Sequence, residues 1–326
     1  MTQTELPRLR LAELPTPLER APRFGEAIGA EVWIKRDDVG SIGLAGNKVR
    51  KLEYVLADAV GQGADTIVMI GAEQSNAARA TAAACARLGL RCVLVLSGDE
   101  PASPTGNLLL DTLFGADVHF AGDVGWAELW EESQRLSEVL RERGATPYTL
   151  PAGASSPLGA CGFAGAWAEL RDQLSEAGVD AESLYYAATS GGTHAGMSLG
   201  RVIDGGGPVL RAIAASPDIV PDMRGYVTGL ANGAAELLGA NVRLDAADVE
   251  IDMGHIGEGY GIPTPEGIAA IRLLARTEGI VCDPVYSGKA LAALVANEHG
   301  GPVVFWHTGG YHALFAPRYG DAVVRR

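Results

Sequence analysis

Cysteine is scarce in this chain. The four that occur, Cys85, Cys92, Cys161 and Cys282, form no CxxC pair and share no metal-type spacing with the six scattered histidines. A disulfide framework is therefore not expected, and the cysteines read as small buried hydrophobes in a reducing compartment. The N-terminal stretch MTQTELPRLRLAELPTPLER has no apolar run of signal-peptide length, and no later window is apolar enough to span a bilayer. The expectation is a cytoplasmic protein with no membrane partner. Positive charge is in deficit: 26 Lys and Arg against 40 Asp and Glu give a net charge of −14, spread along the chain. Such a surface repels nucleic-acid phosphates, so nucleic acid is not an expected partner. Several catalytic signatures are missing as well. No GxGxxG follows a strand, no GxxxxGK[ST] or HExxH occurs, and GASSPLG lacks the serine of a GxSxG elbow.

What is present is a regular alternation. The composition, 47% hydrophobic and 20% charged over 326 residues, allows one large core or two modest domains. EVWIK, TIVMIG, RCVLVLSG, ADVHFAG, TPYTLPAG, LYYAAT and VLRAIAAS read as short strands. Apolar-periodic segments separate them. The helix predicted for NKVRKLEYVLADAVGQG carries Val49, Leu52, Val55, Leu56 and Ala59 on one face. This pattern predicts an α/β protein with mainly parallel sheets and helices on both faces. PAGASSPLGACG, residues 151–162, is the expected crossover between domains. The 43 glycines gather at strand ends, where ligands bind in open α/β sheets.

Three of those glycine-rich stretches could carry chemistry. In LAGNK, Lys48 follows a tight turn at the start of a helix, where the positive end of the helix dipole disfavours an ammonium and favours the reactive amine. Its neighbours Lys35, Arg36, Arg50 and Lys51 also fit a merely basic surface. In ATSGGTHAGM, Ser190, Gly191, Gly192 and Thr193 stand between a strand and a helix, a cup suited to a monophosphate. In GAEQSNAAR, Ser75 and Asn76 fit a helix cap, or a hydroxyl and an amide offered to a ligand. A carbonyl-reactive lysine with a monophosphate cup suggests pyridoxal 5′-phosphate.

The stretches GNKVRKLE, SGGTHAG, GYGIPTPEG, ARTEGIVCDPVYSGKA and WHTGG resemble the D-cysteine desulfhydrase / 1-aminocyclopropane-1-carboxylate deaminase family, nearly end to end. The resemblance implies the pyridoxal-phosphate fold type II, tryptophan synthase beta-like, with two domains of mainly parallel twisted sheets. Residues 1–50 plus 156–326 would form the large cofactor-binding domain and 51–155 the small one. It also implies a homodimer acting on a small amino acid. Lys48 would be the Schiff-base lysine, Asn76 the partner of the cofactor's phenolic oxygen, and Ser190 to Thr193 the phosphate site. Ser75, Tyr260 and Tyr286 would meet the substrate, the tyrosines being equally able to serve as core.

Ser287 matches the position facing the pyridine nitrogen, where the deaminases have glutamate and the desulfhydrases threonine. A hydroxyl there makes the ring a weaker electron sink, which suits β-elimination better than opening a cyclopropane. The expected reaction converts an amino acid such as D-cysteine to pyruvate, ammonia and sulfide. The alternatives are deamination of a cyclopropane amino acid, β-replacement on another amino acid, and a non-catalytic relative that binds amino acid or cofactor. Two positions depart from the family pattern, Glu73 and Ala77 around QSN, where the usual sequence is QSNH; LAGNK likewise replaces a double glycine. Ala77 removes an imidazole from beside the cofactor. Glu73 would read a cationic or amide group, act as acid or base, or point to solvent.

Overall fold

The strand Thr66–Ala72 feeds two cores at once. Ile67 and Met69 pack with Leu94 and Leu96 on one face, and Val68 and Ile70 with Val93 and Val95 on the other. In Val303–His307, likewise, Val303 and Phe305 enter one core and Val304 and Trp306 another. A strand apolar on both faces needs cover on both, which is why these segments read as unbroken apolar runs.

The structure, a computed structural model, describes residues 6–217 and 219–324. Its strands are β1 (Leu18–Arg20), β2 (Val32–Arg36), β3 (Thr66–Ala72), β4 (Arg91–Ser97), β5 (Asp117–Phe120), β6 (Pro147–Leu150), β7 (Ser183–Ala188), β8 (Val209–Ala214), β9 (Ile251–Asp252) and β10 (Val303–His307). One six-stranded sheet has the order β1-β2-β10-β7-β8-β9, antiparallel only at β1, and a four-stranded parallel sheet has the order β5-β4-β3-β6. The helices are α1 (Pro22–Ile28), α2 (Lys48–Gly61), α3 (Asn76–Leu88), α4 (Gly106–Leu113), α5 (Trp126–Glu142), α6 (Pro157–Ala177), α7 (Gly192–Ile203), α8 (Met223–Leu238), α9 (Pro265–Glu278), α10 (Ser287–Ala296) and α11 (Pro317–Val324). Among the described residues no helix is long and apolar enough to cross a membrane. The four cysteines are free and buried. The first five and last two residues of the expected large domain, and its Asp218, lie outside the described residues.

The face anticipated for α2 is the one it buries: Val49, Leu52, Val55, Leu56 and Ala59 all enter the core beside β3. The opposite face of its first turn is tied down by charge. Arg50 donates from Nε and Nη2 to Asp37 at 2.9 and 2.8 Å, and from Nη1 and Nη2 to Glu169 of α6 at 2.9 Å each. Lys35 of β2 also donates to Glu169. Lys35, Arg50 and Lys51 are buried, so the basic surface that the sequence allowed around Lys48 does not exist at these three positions. Charges in an α/β interior survive by pairing, and here the pairing fixes where α2 begins.

Burial pushes the Glu169 carboxyl up, but its bonds to Arg50 and Lys35 prevail and hold it at about 2. Burial outweighs Glu169 at Lys35 and lowers that amine, so the gain rests mainly on Arg50. Glu169→Gln therefore leaves two buried cations facing a neutral amide and is expected to cost about 3 kcal/mol in urea unfolding at pH 7. Glu169 is depressed on folding, so its contribution is complete above its ordinary value of 4.5 and is lost as pH falls toward 2. The cost of the substitution should shrink across that range, and a cost independent of pH contradicts this account.

Candidate active site

Just past the carboxyl ends of β3, β7 and β10 lies a cavity lined by Gly71, Ala187 and Thr308 at those ends. Lys48 lines it from the start of α2, and Ser75, Asn76 and Ala77 from the start of α3. Ser190, Gly191 and Thr193 line it around the start of α7, and Tyr260 and Tyr286 complete its wall. The sequence-selected residues thus converge on one space, with three exceptions. Gly192 lies behind the cup, Ser287 lies beside Asp283, and Glu73 lines an outer cleft that shares Tyr260 and Tyr286 with the cavity.

Lys48 is the first residue of α2, and its Nζ donates to Asn47 Oδ1 at 3.0 Å. Asn47 precedes the helix but makes no side-chain cap; its Nδ2 donates to Thr193 Oγ1 at 3.1 Å. The lysine and the cup are thereby coupled through one amide. Burial lowers the Lys48 ammonium from 10.5 to about 8, with Asp283 opposing and Arg79 reinforcing. Burial is thus the larger cause, where the sequence argument relied on the helix terminus.

The loop before Lys48 is strained. Leu44 and Ala45 have φ of 63° and 65°, and Ala45 has ψ of −169°, a region that side chains avoid. Strain of this kind costs roughly 1–3 kcal/mol per residue and persists only where the surroundings impose it.

The cup is built at the N-terminus of α7, where Gly192 N donates to Ser155 Oγ at 3.2 Å and Ser155 Oγ donates to Ser190 Oγ at 2.9 Å. Lys51, one turn after Lys48, lies beneath it. Its Nζ donates to Gly153 O and Ser155 Oγ, both at 3.2 Å, and has no carboxylate within ion-pair distance among the described residues. A Cβ on Gly192 would lie 2.9 Å from that Nζ and 2.8 Å from Ser155 Oγ, so only glycine admits the approach. Burial, then Lys48, holds the Lys51 ammonium well below its ordinary value. A fully buried amine under a ring of hydroxyls and backbone N–H groups is completed by an anion, and the residues present fit a phosphate. In the sequence Lys51 fits added positive charge near Lys48 or a merely basic surface; its i+3 spacing from Lys48, which places both on one helix face, is the signal that links the two.

At the other end, Ser75 caps α3, its Oγ accepting from Ala78 N at 3.2 Å, as its spacing predicted. Asn76 Oδ1 accepts from Asn107 Nδ2 at 2.9 Å, which leaves its own Nδ2 as a donor. Asp283, fully buried and overlooked in the sequence, accepts N–H bonds from Val285, Tyr286 and Ser287 at 2.8, 2.6 and 3.0 Å. Ser287 gives its hydroxyl to Asp283 Oδ2 and accepts from Asp283 N at 2.9 Å. Tyr260 and Tyr286 bond through their hydroxyls, and burial pushes both phenols up. Trp126 packs edge-on to Tyr260 with ring centres 5.8 Å apart. The cavity therefore presents an amine of low proton affinity, an anion cup, an amide donor and a protonated phenol pair.

Comparison with known proteins agrees with that chemistry. The profile of the family described as pyridoxal-phosphate dependent enzyme matches residues 9–309. A D-cysteine desulfhydrase of Klebsiella pneumoniae (strain 342) is 39% identical, covering 96% of this chain and 97% of its own length. One from Salmonella schwarzengrund (strain CVM19633) is 38% identical with the same coverage, 96% and 97%. A solved structure of an ACC deaminase homologue superposes with a TM-score of 0.88 at 37% identity, covering 98% of this chain and 96% of that one.

Replacing Lys51 with Met removes a buried amine that has no carboxylate within ion-pair distance among the described residues. Lys51→Met should raise the melting temperature of the ligand-free protein by about 2 °C or more. It should also abolish the additional rise that inorganic phosphate gives the wild type. A lower melting temperature with phosphate protection intact contradicts the assignment of Lys51 to the cup.

Proposed function

The chain belongs to the family of pyridoxal-phosphate dependent enzymes, and from that premise we propose that it is a lyase that eliminates the β-substituent of a small amino acid. With D-cysteine, one water is consumed and pyruvate, ammonia and sulfide are released. The observation that carries this reading is the pairing, across one cavity, of an amine brought down to about 8 with a cup suited to phosphate.

Pyridoxal phosphate, when bound, supplies a carbonyl for an amine and a ring that draws electrons from the substrate's Cα. Ser190, Gly191, Gly192 and Thr193, backed by Lys51, hold its phosphate. Asn76 offers Nδ2 to its phenolic oxygen because Asn107 occupies Oδ1. Lys48, with a low proton affinity and a single hydrogen bond to Asn47, exchanges the proton at the substrate's Cα. Ser75 uses its oxygen as a cap acceptor and keeps its hydrogen for the substrate carboxylate. Tyr260 and Tyr286 stay protonated and provide a proton for the departing sulfur.

Ser287 is a neutral hydroxyl occupied by Asp283, which favours loss of a ready leaving group over opening of a cyclopropane. Ala77 enlarges the cavity beside Asn76. Glu73 meets the part of a substrate beyond Cβ from the outer cleft and favours a cationic or amide end there. The same reading takes residues 51–155 as a small domain around the four-stranded sheet. It also takes the protein as a cytoplasmic homodimer, on the family resemblance.

Incubated with D-cysteine, the holoenzyme should release sulfide, pyruvate and ammonia in equal amounts over many turnovers. With 1-aminocyclopropane-1-carboxylate, 2-oxo acid should form at least about a hundredfold more slowly, the slower reaction carrying a barrier about 2.7 kcal/mol higher. A faster reaction with the cyclopropane overturns the assignment of Ser287. Absence of 2-oxo acid in excess over enzyme from any small amino acid overturns the lyase and favours a binding protein.

A further inference from the structure

Arg79 is a charged side chain that the site described above does not use. It lies on α3 one turn after Asn76, is fully buried, and forms no ion pair among the described residues. Its Nη2 donates to Ala45 O at 2.8 Å, whereas its Nε and Nη1 have no hydrogen-bond partner. We propose that Arg79 is a positioning residue, pinning the strained loop that delivers Lys48 and keeping a fixed positive charge beside that amine. The inference rests on Lys48 being the amine that the cofactor engages.

The loop needs such a pin. Ala45 holds a backbone conformation that glycine adopts freely and alanine does not, and the residue on either side of the Leu44–Ala45 pair is a left-handed glycine, Gly43 with φ 59° and Gly46 with φ 113°. Besides the bond from Ala45 N to Ile42 O at 3.2 Å within it, hydrogen bonds from outside the loop keep it from relaxing into a wider turn. Gly46 N donates to Asp37 O at 2.8 Å, Asn47 N to Thr308 O at 3.1 Å, and Arg79 Nη2 to Ala45 O. Only the last is charge-assisted, and it acts on the most strained residue. The fit leaves no slack: a Cβ on Gly46 would lie 3.3 Å from Arg79 Nη2, and one on Gly43 2.5 Å from Ala83 Cβ of the same helix.

The charge matters as well as the bond. Asp111 of α4 attracts Arg79 but is not within ion-pair distance, and both of its carboxylate oxygens lack partners. Burial raises the Asp111 carboxyl to about 8, so at neutral pH this acid is largely protonated and leaves the guanidinium uncompensated. His312, with both ring nitrogens unpartnered, is held neutral by burial and by Arg79, at about 3. Burial has also lowered Arg79 itself to about 10, still charged at neutral pH. The charges acting on Lys48 are therefore Arg79 from α3 and Asp283 from the loop before α10, while Lys51 of its own helix is itself held well below its ordinary value by burial and then by Lys48. The neutral Asn47, Tyr260 and Tyr286 complete its surroundings. Asp283 favours the ammonium, and burial and Arg79 disfavour it.

Reductive methylation of the full-length, ligand-free chain with 13C-formaldehyde reports the titration of Lys48, its signal assigned by its loss in Lys48→Arg. Arg79→Met should raise the Lys48 titration by about one pH unit, a roughly tenfold smaller neutral fraction at pH 7, while Arg79→Lys should keep most of the wild-type value. A Lys48 titration unmoved in folded Arg79→Met overturns the electrostatic half of the proposal. The clamp is tested without that variant, by the rate of pyridoxal phosphate uptake in Arg79→Lys with and without Ala45→Gly. Loss of the pin should slow uptake severalfold when alanine occupies position 45 and much less when glycine removes the strain. Equal slowing in both backgrounds overturns the clamp. A wild-type chain that takes up no pyridoxal phosphate sinks the functional reading of the site, while the Lys48 titration still decides this one.

Discussion

Positive charge buried without ion-pair partners is the constraint around which this molecule is arranged. Lys51 and Arg79 are fully enclosed, Lys48 is half-buried, and none has a carboxylate within 4.0 Å among the described residues. Removing such groups from water costs several kcal/mol each unless something returns the interaction. The sheets bring α2, α3 and α7 to one place, and the three cations share it. The enclosure lowers the proton affinity of Lys48 and Lys51, and one cavity is lined by Lys48 together with Ser190, Gly191 and Thr193.

Pairing is used where position must be fixed and withheld where chemistry is wanted. Arg50 lies two residues from Lys48 and is satisfied by Asp37 and Glu169, and that network holds the start of α2. Asn47 has forgone its role as a helix cap to link Lys48 with Thr193. Asp283 collects three backbone N–H groups and the Ser287 hydroxyl, so it serves chiefly to order the turn behind Tyr286. The same segment of chain thus contains both a fully compensated cation and a half-buried amine with no carboxylate partner among the described residues.

Much of this was legible in the sequence, for identifiable reasons. Alternation of apolar runs with helical periodicity reports burial on both faces of a strand, and the five residues chosen for the inner face of α2 are the ones in its core. Ser75 was readable as a cap because capping depends on spacing alone. Lys51, Arg79 and Asp283 were not readable as site groups, because a charged letter carries no information about depth. Only tertiary packing distinguishes a solvated lysine from a fully buried one. Glu73, expected among the substrate-contacting residues because its neighbours are, lines the outer cleft that shares Tyr260 and Tyr286 with the cavity; its depth was not legible, as residues in a strand-to-helix turn follow neither period.

Borohydride reduction of the pyridoxal phosphate-reconstituted protein, followed by peptide mass mapping, tests the central claim most directly. One phosphopyridoxyl group should be fixed per chain, on the peptide that contains Lys48 and at that residue. Label at Lys51 or at any other lysine, or none at all, would contradict the assignment of the reactive amine.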